Sequence, residues 1–387
     1  MKWQNLSCPF YGKCGGCSTD KEYDRQLLDK EDSVAALLSY YGRVYPIIGC
    51  SKPFFYRNKV NWEYGVDSKG RQFDGIYKAD SHYIIPVGSC LLHDKCAQSV
   101  INSVTDYFVR EKIPFFNEYD KTGFLRHVLV RRSPATDTTM LVLVTGYWTF
   151  PHKDSFIDYI VKKHPDVVTI VQSRNKEHTS MIFSDCEDRI LYGDGFITDI
   201  MCGLKFRISA RSFAQVNPYA AQELYYVAMD MASLSGRERV IDAYCGTGTI
   251  GLIASHEGAL EVLGIENNAS AVRDAEVNAS LNNITNARFV CANASEYIKG
   301  MAAANEHADV VFLDPPRCGT DERFLASVFR LSPKKIVYIS CNPQTLARDI
   351  RYIYRFSDYR VKAIQPVDMF PQTNNVETAV LLTRYID

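Results

Sequence analysis

Val240-Ile241-Asp242-Ala243-Tyr244-Cys245-Gly246-Thr247-Gly248 reads as an apolar strand, a Gly-rich turn and the start of a helix. The continuation to Gly251 satisfies G-x-G-x-x-G, a tight turn that lets backbone approach a ligand at a helix N-terminus. Outward from this stretch the pattern repeats. Apolar runs over Glu261–Glu266, Ala287–Ala292, Asp309–Leu313 and Lys335–Cys341 predict further strands, with helical stretches such as Ala269–Leu281 and Gln344–Tyr354 between them. Strand–helix alternation with near-continuous apolar strands predicts an α/β fold whose mostly parallel sheet is covered on both faces. Tyr359–Val367 and Val376–Tyr385, joined by the short polar link Asp368–Asn375, predict an antiparallel hairpin at its edge.

Composition sets the class. At 387 residues, 46% hydrophobic and 23% charged, the chain has the make-up of an ordinary globular protein with two domains. The net charge of −1 gives no global polyanion signature, so a nucleic-acid role must rest on local basic patches. The N-terminus lacks the apolar core of a signal peptide, and no run reaches the ~20 apolar residues of a membrane helix. A cytoplasmic address is expected, with reduced thiols. The 12 cysteines are then metal ligands, nucleophiles or buried residues rather than disulfides.

The strand ends carry the chemistry. In an open α/β sheet, ligands bind at the C-terminal edge of the strands. Glu266 ends the strand after the Gly-rich turn, where a carboxylate accepts hydrogen bonds from two ribose hydroxyls, an arrangement that serves NAD and S-adenosylmethionine equally. Asp314-Pro315-Pro316-Arg317 and Ser340-Cys341-Asn342-Pro343 end two later strands. A dehydrogenase has no use for either motif, whereas a Cys stopped at this edge by Asn-Pro is placed to attack a substrate as thiolate. Methylating C5 of a pyrimidine asks for that thiolate, a general base and a donor methyl held in line. Glu377, at the start of the last strand, is the candidate base.

These motifs resemble the RNA uracil-5-methyltransferase family, class I S-adenosylmethionine enzymes with a Rossmann-like seven-stranded sheet. The resemblance runs through Ser212-Phe213-Ala214-Gln215-Val216-Asn217, Asp242–Gly248, Asp314–Arg317, Ser340–Pro343 and Asp368–Glu377. It implies S-adenosyl-L-methionine contacts from Gln215, Tyr244, Glu266, Asn293 and Asp314, with Cys341 the nucleophile and Glu377 the base. One position departs: the family has His two residues before the catalytic Glu, and this chain has Asn375, which hydrogen-bonds but does not titrate near neutral pH. Cytosine-5 enzymes carry a second Cys directly after Asp-x-Pro. Here Arg317 holds that place and Cys318 follows, so uracil is the expected base and Cys318 a structural residue.

Residues 1–205 read differently, as an RNA-facing α+β domain preceding the catalytic domain at 206–387. Cys8, Cys14 and Cys17 gather three thiols in one small loop around Gly15-Gly16, a spacing that suits zinc or an iron–sulfur cluster. Cys90 or Cys96 would complete the set. The family resemblance implies a 4Fe–4S cluster with Cys90. Cys50, Cys186, Cys202, Cys245 and Cys291 are expected to be buried or incidental. Basic and aromatic runs, Lys52–Lys59 and Arg126–Arg132, are candidates for RNA contact; Arg126 and Arg132 share strand parity and so one face. The chain begins almost at the cysteine loop, so the small N-terminal β-barrel domain of many relatives is expected to be missing. The resemblance favours 23S rRNA as partner, with the tRNA T-loop second. An iron–sulfur RNA-binding or sensor protein without activity is the alternative that the Cys341–Glu377 pair speaks against.

Overall fold

The computed structural model describes residues 7–177, 179, 181–184 and 188–385. The chain divides into two compact units, one of residues 1–20, 52–200 and 207–211, the other of 21–51, 201–206 and 212–387. The linear boundary expected at 205/206 falls where the chain alternates between them. Residues 21–51 group with the second unit, which the sequence pattern did not anticipate.

Helix α1 (Tyr23–Leu38) belongs to the second unit. The first unit carries β1 (Lys59–Val66), β2 (Gln72–Tyr77), β3 (Ile84–Ile85), α2 (Lys95–Arg110), β4 (Leu125–Ser133) and β5 (Thr138–Thr145). It continues with α3 (Lys153–Lys163), β6 (Val167–Arg174) and β7 (Arg189–Tyr192). Its strands line up as β3-β2-β1-β4-β5-β6-β7, antiparallel except for β5 beside β6. A core of Trp62, Phe108, Phe124, Leu141 and Phe156 joins this sheet to α2 and α3.

Arg126 and Arg132 do not form the solvated cationic face expected of them. Every residue of β4 is buried, and Arg126 is 1% exposed. Its guanidinium is consumed by Glu118 and by the carbonyls of Asn175, Glu177 and Thr179. Arg132 pairs with Asp94, Asp137 and Asp166. Buried guanidinium groups must be paired, and these are. They hold the unit together.

After the short strands β8 (Phe196–Met201) and β9 (Leu204–Ser209), the second unit runs through α4 (Pro218–Ala232), β10 (Arg239–Asp242), α5 (Thr249–His256) and β11 (Glu261–Glu266). Then come α6 (Ala269–Leu281), β12 (Ala287–Cys291), α7 (Ala294–Ala303), β13 (Val310–Leu313) and α8 (Glu322–Leu331). The chain closes with β14 (Lys335–Ser340), α9 (Pro343–Phe356), β15 (Tyr359–Val367) and β16 (Glu377–Arg384). The order β12-β11-β10-β13-β14-β16-β15 is parallel except at β16, antiparallel to both neighbours. This is the Rossmann-like α/β layout and edge hairpin expected from the apolar runs. One apolar layer, with Ile241, Leu325, Leu346 and Ile350, packs on one face; another, with Leu224, Ile253, Phe312 and Val337, packs on the other. No described helix is long and apolar enough to cross a membrane.

Candidate active site

The Gly-rich turn works as its sequence requires. Gly248 sits at φ +83°, where a Cβ would meet Ala275 and Phe289 at 3.0 Å. Buried Asp242 fastens the following helix, its Oδ2 accepting from Gly251 N–H at 2.8 Å. Glu266 folds back over the turn and accepts from the backbone N–H groups of Gly246 (3.1 Å) and Asn268 (2.8 Å). Burial, with Asp314 and Glu266 nearby, pushes the Asp242 carboxyl up to about 7. Three carboxylates thus share this edge of the sheet.

Tyr244 and Asn293 line an adjoining cleft of about 580 Å³ together with Pro316 and Cys318. Asn293 caps α7, accepting from Glu296 N–H at 3.2 Å. Gln215 reaches the group through α4: it hydrogen-bonds the buried Tyr225 hydroxyl, which also lies in the field of Asp314 and Glu377. All five residues expected to contact the donor therefore fall on the same unit: Tyr244, Glu266, Asn293 and Asp314 at the C-terminal ends of β10, β11, β12 and β13, and Gln215 against α4.

Cys341 leaves β14 immediately before Asn342, the N-cap of α9, whose Oδ1 accepts from Gln344 N–H. The helix N-terminus favours negative charge at the thiol. β14 pairs with β16 up to Ser340 opposite Thr378, so one further step sets Cys341 beside Glu377. Burial raises the Cys341 thiol, Glu377 and Asp314 raise it further, and the Arg317 guanidinium opposes them. Glu377, 4% exposed, is pushed up to about 8 by burial and by Asp314, against the same Arg317. Asp314 is pushed up to about 7 by burial. Arg317 is held by Asn375, whose Oδ1 accepts from Nη2 at 2.9 Å. Asn375, where a departure from the family was expected, thus anchors a cation acting on both Cys341 and Glu377.

The loop carrying Asn375 is fixed from behind. Asn217 Nδ2 donates to the Met369 carbonyl at 2.9 Å. Lys30 of α1 donates to Asp368 Oδ1 (2.6 Å) and to the Phe370 carbonyl (3.0 Å). Gln26 exchanges two hydrogen bonds with Gln372, at 2.8 and 2.9 Å. Sequence reading missed Asp242, Tyr225, Lys30 and Gln26. Only Asp242 left a trace, as the last strand residue before the glycines.

In the first unit, burial and the neighbouring thiols of Cys90, Cys14 and Cys8 push the Cys17 thiol up to about 12. Cys96 has other neighbours, Arg132, Asp94, Asp166 and Asp137. Cys8, Cys14 and Cys90 thus act on the Cys17 thiol, yet among the described residues no group of three or more His, Cys, Asp or Glu could hold a metal ion. Of the remaining cysteines, Cys50, Cys202 and Cys245 are buried, whereas Cys291 and Cys318 are exposed. Cys186 lies outside the described residues.

A family profile described as tRNA (Uracil-5-)-methyltransferase matches residues 197–385. A Bacillus cereus protein described as an uncharacterized RNA methyltransferase is 39% identical over 98% of this chain and 83% of its own length. One from Clostridium acetobutylicum with the same description is 39% identical over 97% and 83%. Among solved structures, the Pyrococcus abyssi tRNA (uracil-54, C5)-methyltransferase in complex with S-adenosyl-L-homocysteine superposes with a TM-score of 0.78, at 27% identity over 93% of this chain and 83% of that one.

Proposed function

Since the chain belongs to the RNA uracil-5-methyltransferase family, we propose that it methylates C5 of a specific uridine in 23S rRNA, using S-adenosylmethionine as donor. The observation that carries this reading is the Cys341–Glu377 pair at the sheet edge, with Asp314 and Arg317 acting on both. S-adenosylmethionine, when bound, supplies an electrophilic methyl group. Gln215, Tyr244, Glu266, Asn293 and Asp314 are the residues that hold it.

The chain's own steps follow from that placement. The Cys341 thiolate adds to C6 of the uracil, forming a C–S bond and raising electron density at C5. C5 then takes the methyl as its bond to the donor's sulfur breaks, leaving S-adenosylhomocysteine. Ionised Glu377 removes the C5 proton, the C6–S bond breaks, and the thiolate is restored with the proton left on Glu377. Arg317 lowers the cost of both anions in turn.

We place a 4Fe–4S cluster on Cys8, Cys14, Cys17 and Cys90, as a clamp within the first unit. The action of the other three thiols on the Cys17 thiol supports it. A four-iron cluster is held by four thiolates, and it is bulkier than a single ion. Resemblance to cluster-bearing members also underlies the choice of rRNA. A tRNA T-loop uracil is the second reading, supported by the likeness to the Pyrococcus abyssi tRNA enzyme.

The test is methyl transfer to unmodified 23S rRNA and tRNA transcripts, read by mass spectrometry of nucleosides and of mapped fragments. 5-Methyluridine at one rRNA position is expected. A methylated tRNA T-loop with inert rRNA would move the substrate, and 5-methylcytidine or an N-methylated base would overturn the reaction.

A further inference from the structure

Away from the catalytic unit, the first unit has a cleft of about 670 Å³ between the edge strand β7 and the first turn of α3. That volume admits a nucleotide. One wall is the half-buried indole of Trp148. Arg189 lies over its ring at 4.2 Å from the centroid, and Arg174 at 5.5 Å. The indole is seated on a fixed support: buried Gln172 donates through Nε2 to the carbonyls of Tyr147 and Trp148, each at 3.2 Å. Phe150 continues the aromatic wall into the packed rings of Phe124 and Phe156. The opposite wall is the start of α3, where exposed Lys153 lies 3.4 Å from Asp154.

The charge balance here is unlike that of the chain as a whole. Arg189 and Lys153 line the cleft with Asp154, and Arg174 approaches the Trp148 ring, in a protein whose net charge is −1. Aromatic rings interleaved with arginines along a cationic groove suit single-stranded nucleic acid, because every base has a π-face and every step a phosphate. A small neutral ligand would have no use for these cations.

We infer that this cleft is a second RNA-contacting site, which stacks an unpaired base of the substrate RNA against Trp148 and Arg189 and holds the adjoining phosphate with Lys153. It rests on the reading of the protein as an RNA methyltransferase but not on the identity of the target uridine. The site supplies affinity and register rather than chemistry.

The experiment uses the full chain carrying Trp3→Phe. Trp62 is 1% exposed, so Trp148 is then the indole that RNA can reach. Titration with an unmodified substrate fragment should quench its fluorescence saturably. Trp148→Leu should raise KM for RNA about tenfold or more, with kcat at saturating RNA and S-adenosylmethionine affinity near wild type, and Trp148→Phe should recover most of the loss. Arg189→Ala, at the exposed edge, should weaken RNA binding and flatten its salt dependence even if Trp148→Leu fails to fold. An RNA that the protein methylates but that neither quenches Trp148 nor changes KM in these variants would overturn the site and leave the activity standing. Quenching by RNA without any methyl transfer would do the reverse.

Discussion

Asp242, Asp314, Glu377 and the Cys341 thiol share one sheet edge with the guanidinium of Arg317, and burial, with repulsion among the acidic groups added to it, sets the pH behaviour. Glu377 and Asp314 rise from ordinary values of 4.5 and 3.8 to about 8 and about 7. A carboxyl with a raised folded pKa binds more protons folded than unfolded, so these groups make stability fall as pH rises through that window. Catalysis runs the other way, because the base must be ionised. Single-turnover methylation and release should accelerate from pH 7 to pH 9. Arg317→Met should move that limb to higher pH, since both anions lose their cation, and Asn375→Ala should do so by less. A pH–rate profile unchanged in Arg317→Met would remove the guanidinium from the account. Donor binding tests Asp314 separately. Affinity for the cationic S-adenosylmethionine should rise by up to about tenfold as Asp314 ionises near 7, while that for neutral S-adenosylhomocysteine changes little. Calorimetry at pH 6 and 8 checks this, and Asp314→Asn should flatten the difference.

Among the elements, α1 holds the loop that carries Asn375 and leads into Glu377. Lys30 and Asp368 are 3% and 0% exposed, and burial lowers the ammonium's pKa against the pull of Asp368. Removing one partner of such a pair strands the other charge, at a cost of about 3–5 kcal/mol. Lys30→Met should therefore lower the thermal midpoint by many degrees, and Lys30→Met with Asp368→Leu should recover part of it. Thermal unfolding of the two variants reads the difference. Strands β10, β11, β13 and β14 were legible in the sequence because strands buried on both faces read as apolar runs. The place of α1 was not. Lys30 looks like a solvated helix residue, and its partner lies 338 positions away. Arg126 and Arg132 show the same limit: strand parity told which side they share, not that the side is buried.

At the scale of the whole molecule, each unit has its own apolar core. Loss of the cysteine group should accordingly be felt in one unit. Anaerobically purified protein should carry about four irons. Cys14→Ser should lose iron and RNA affinity while retaining most S-adenosylmethionine binding. One zinc and no iron would change the metal, and iron lost in Cys96→Ser but kept in Cys90→Ser would change the ligand. The residues proposed as catalytic stood out in the sequence because strand ends and Asn-Pro or Asp-Pro-Pro stops mark where side chains face a ligand. The Trp148 cleft was not, since Trp148, Gln172 and Arg189 meet only through the sheet. The claim on which all else depends is covalent attack by Cys341. It is tested most directly by Glu377→Gln incubated with methyl-labelled S-adenosylmethionine and substrate RNA, then run on a denaturing gel. With the base gone, addition and methyl transfer proceed but elimination stalls, so a labelled RNA–protein band should accumulate and vanish when Cys341→Ala is added. Undiminished methylation of the RNA by Cys341→Ala itself would contradict it.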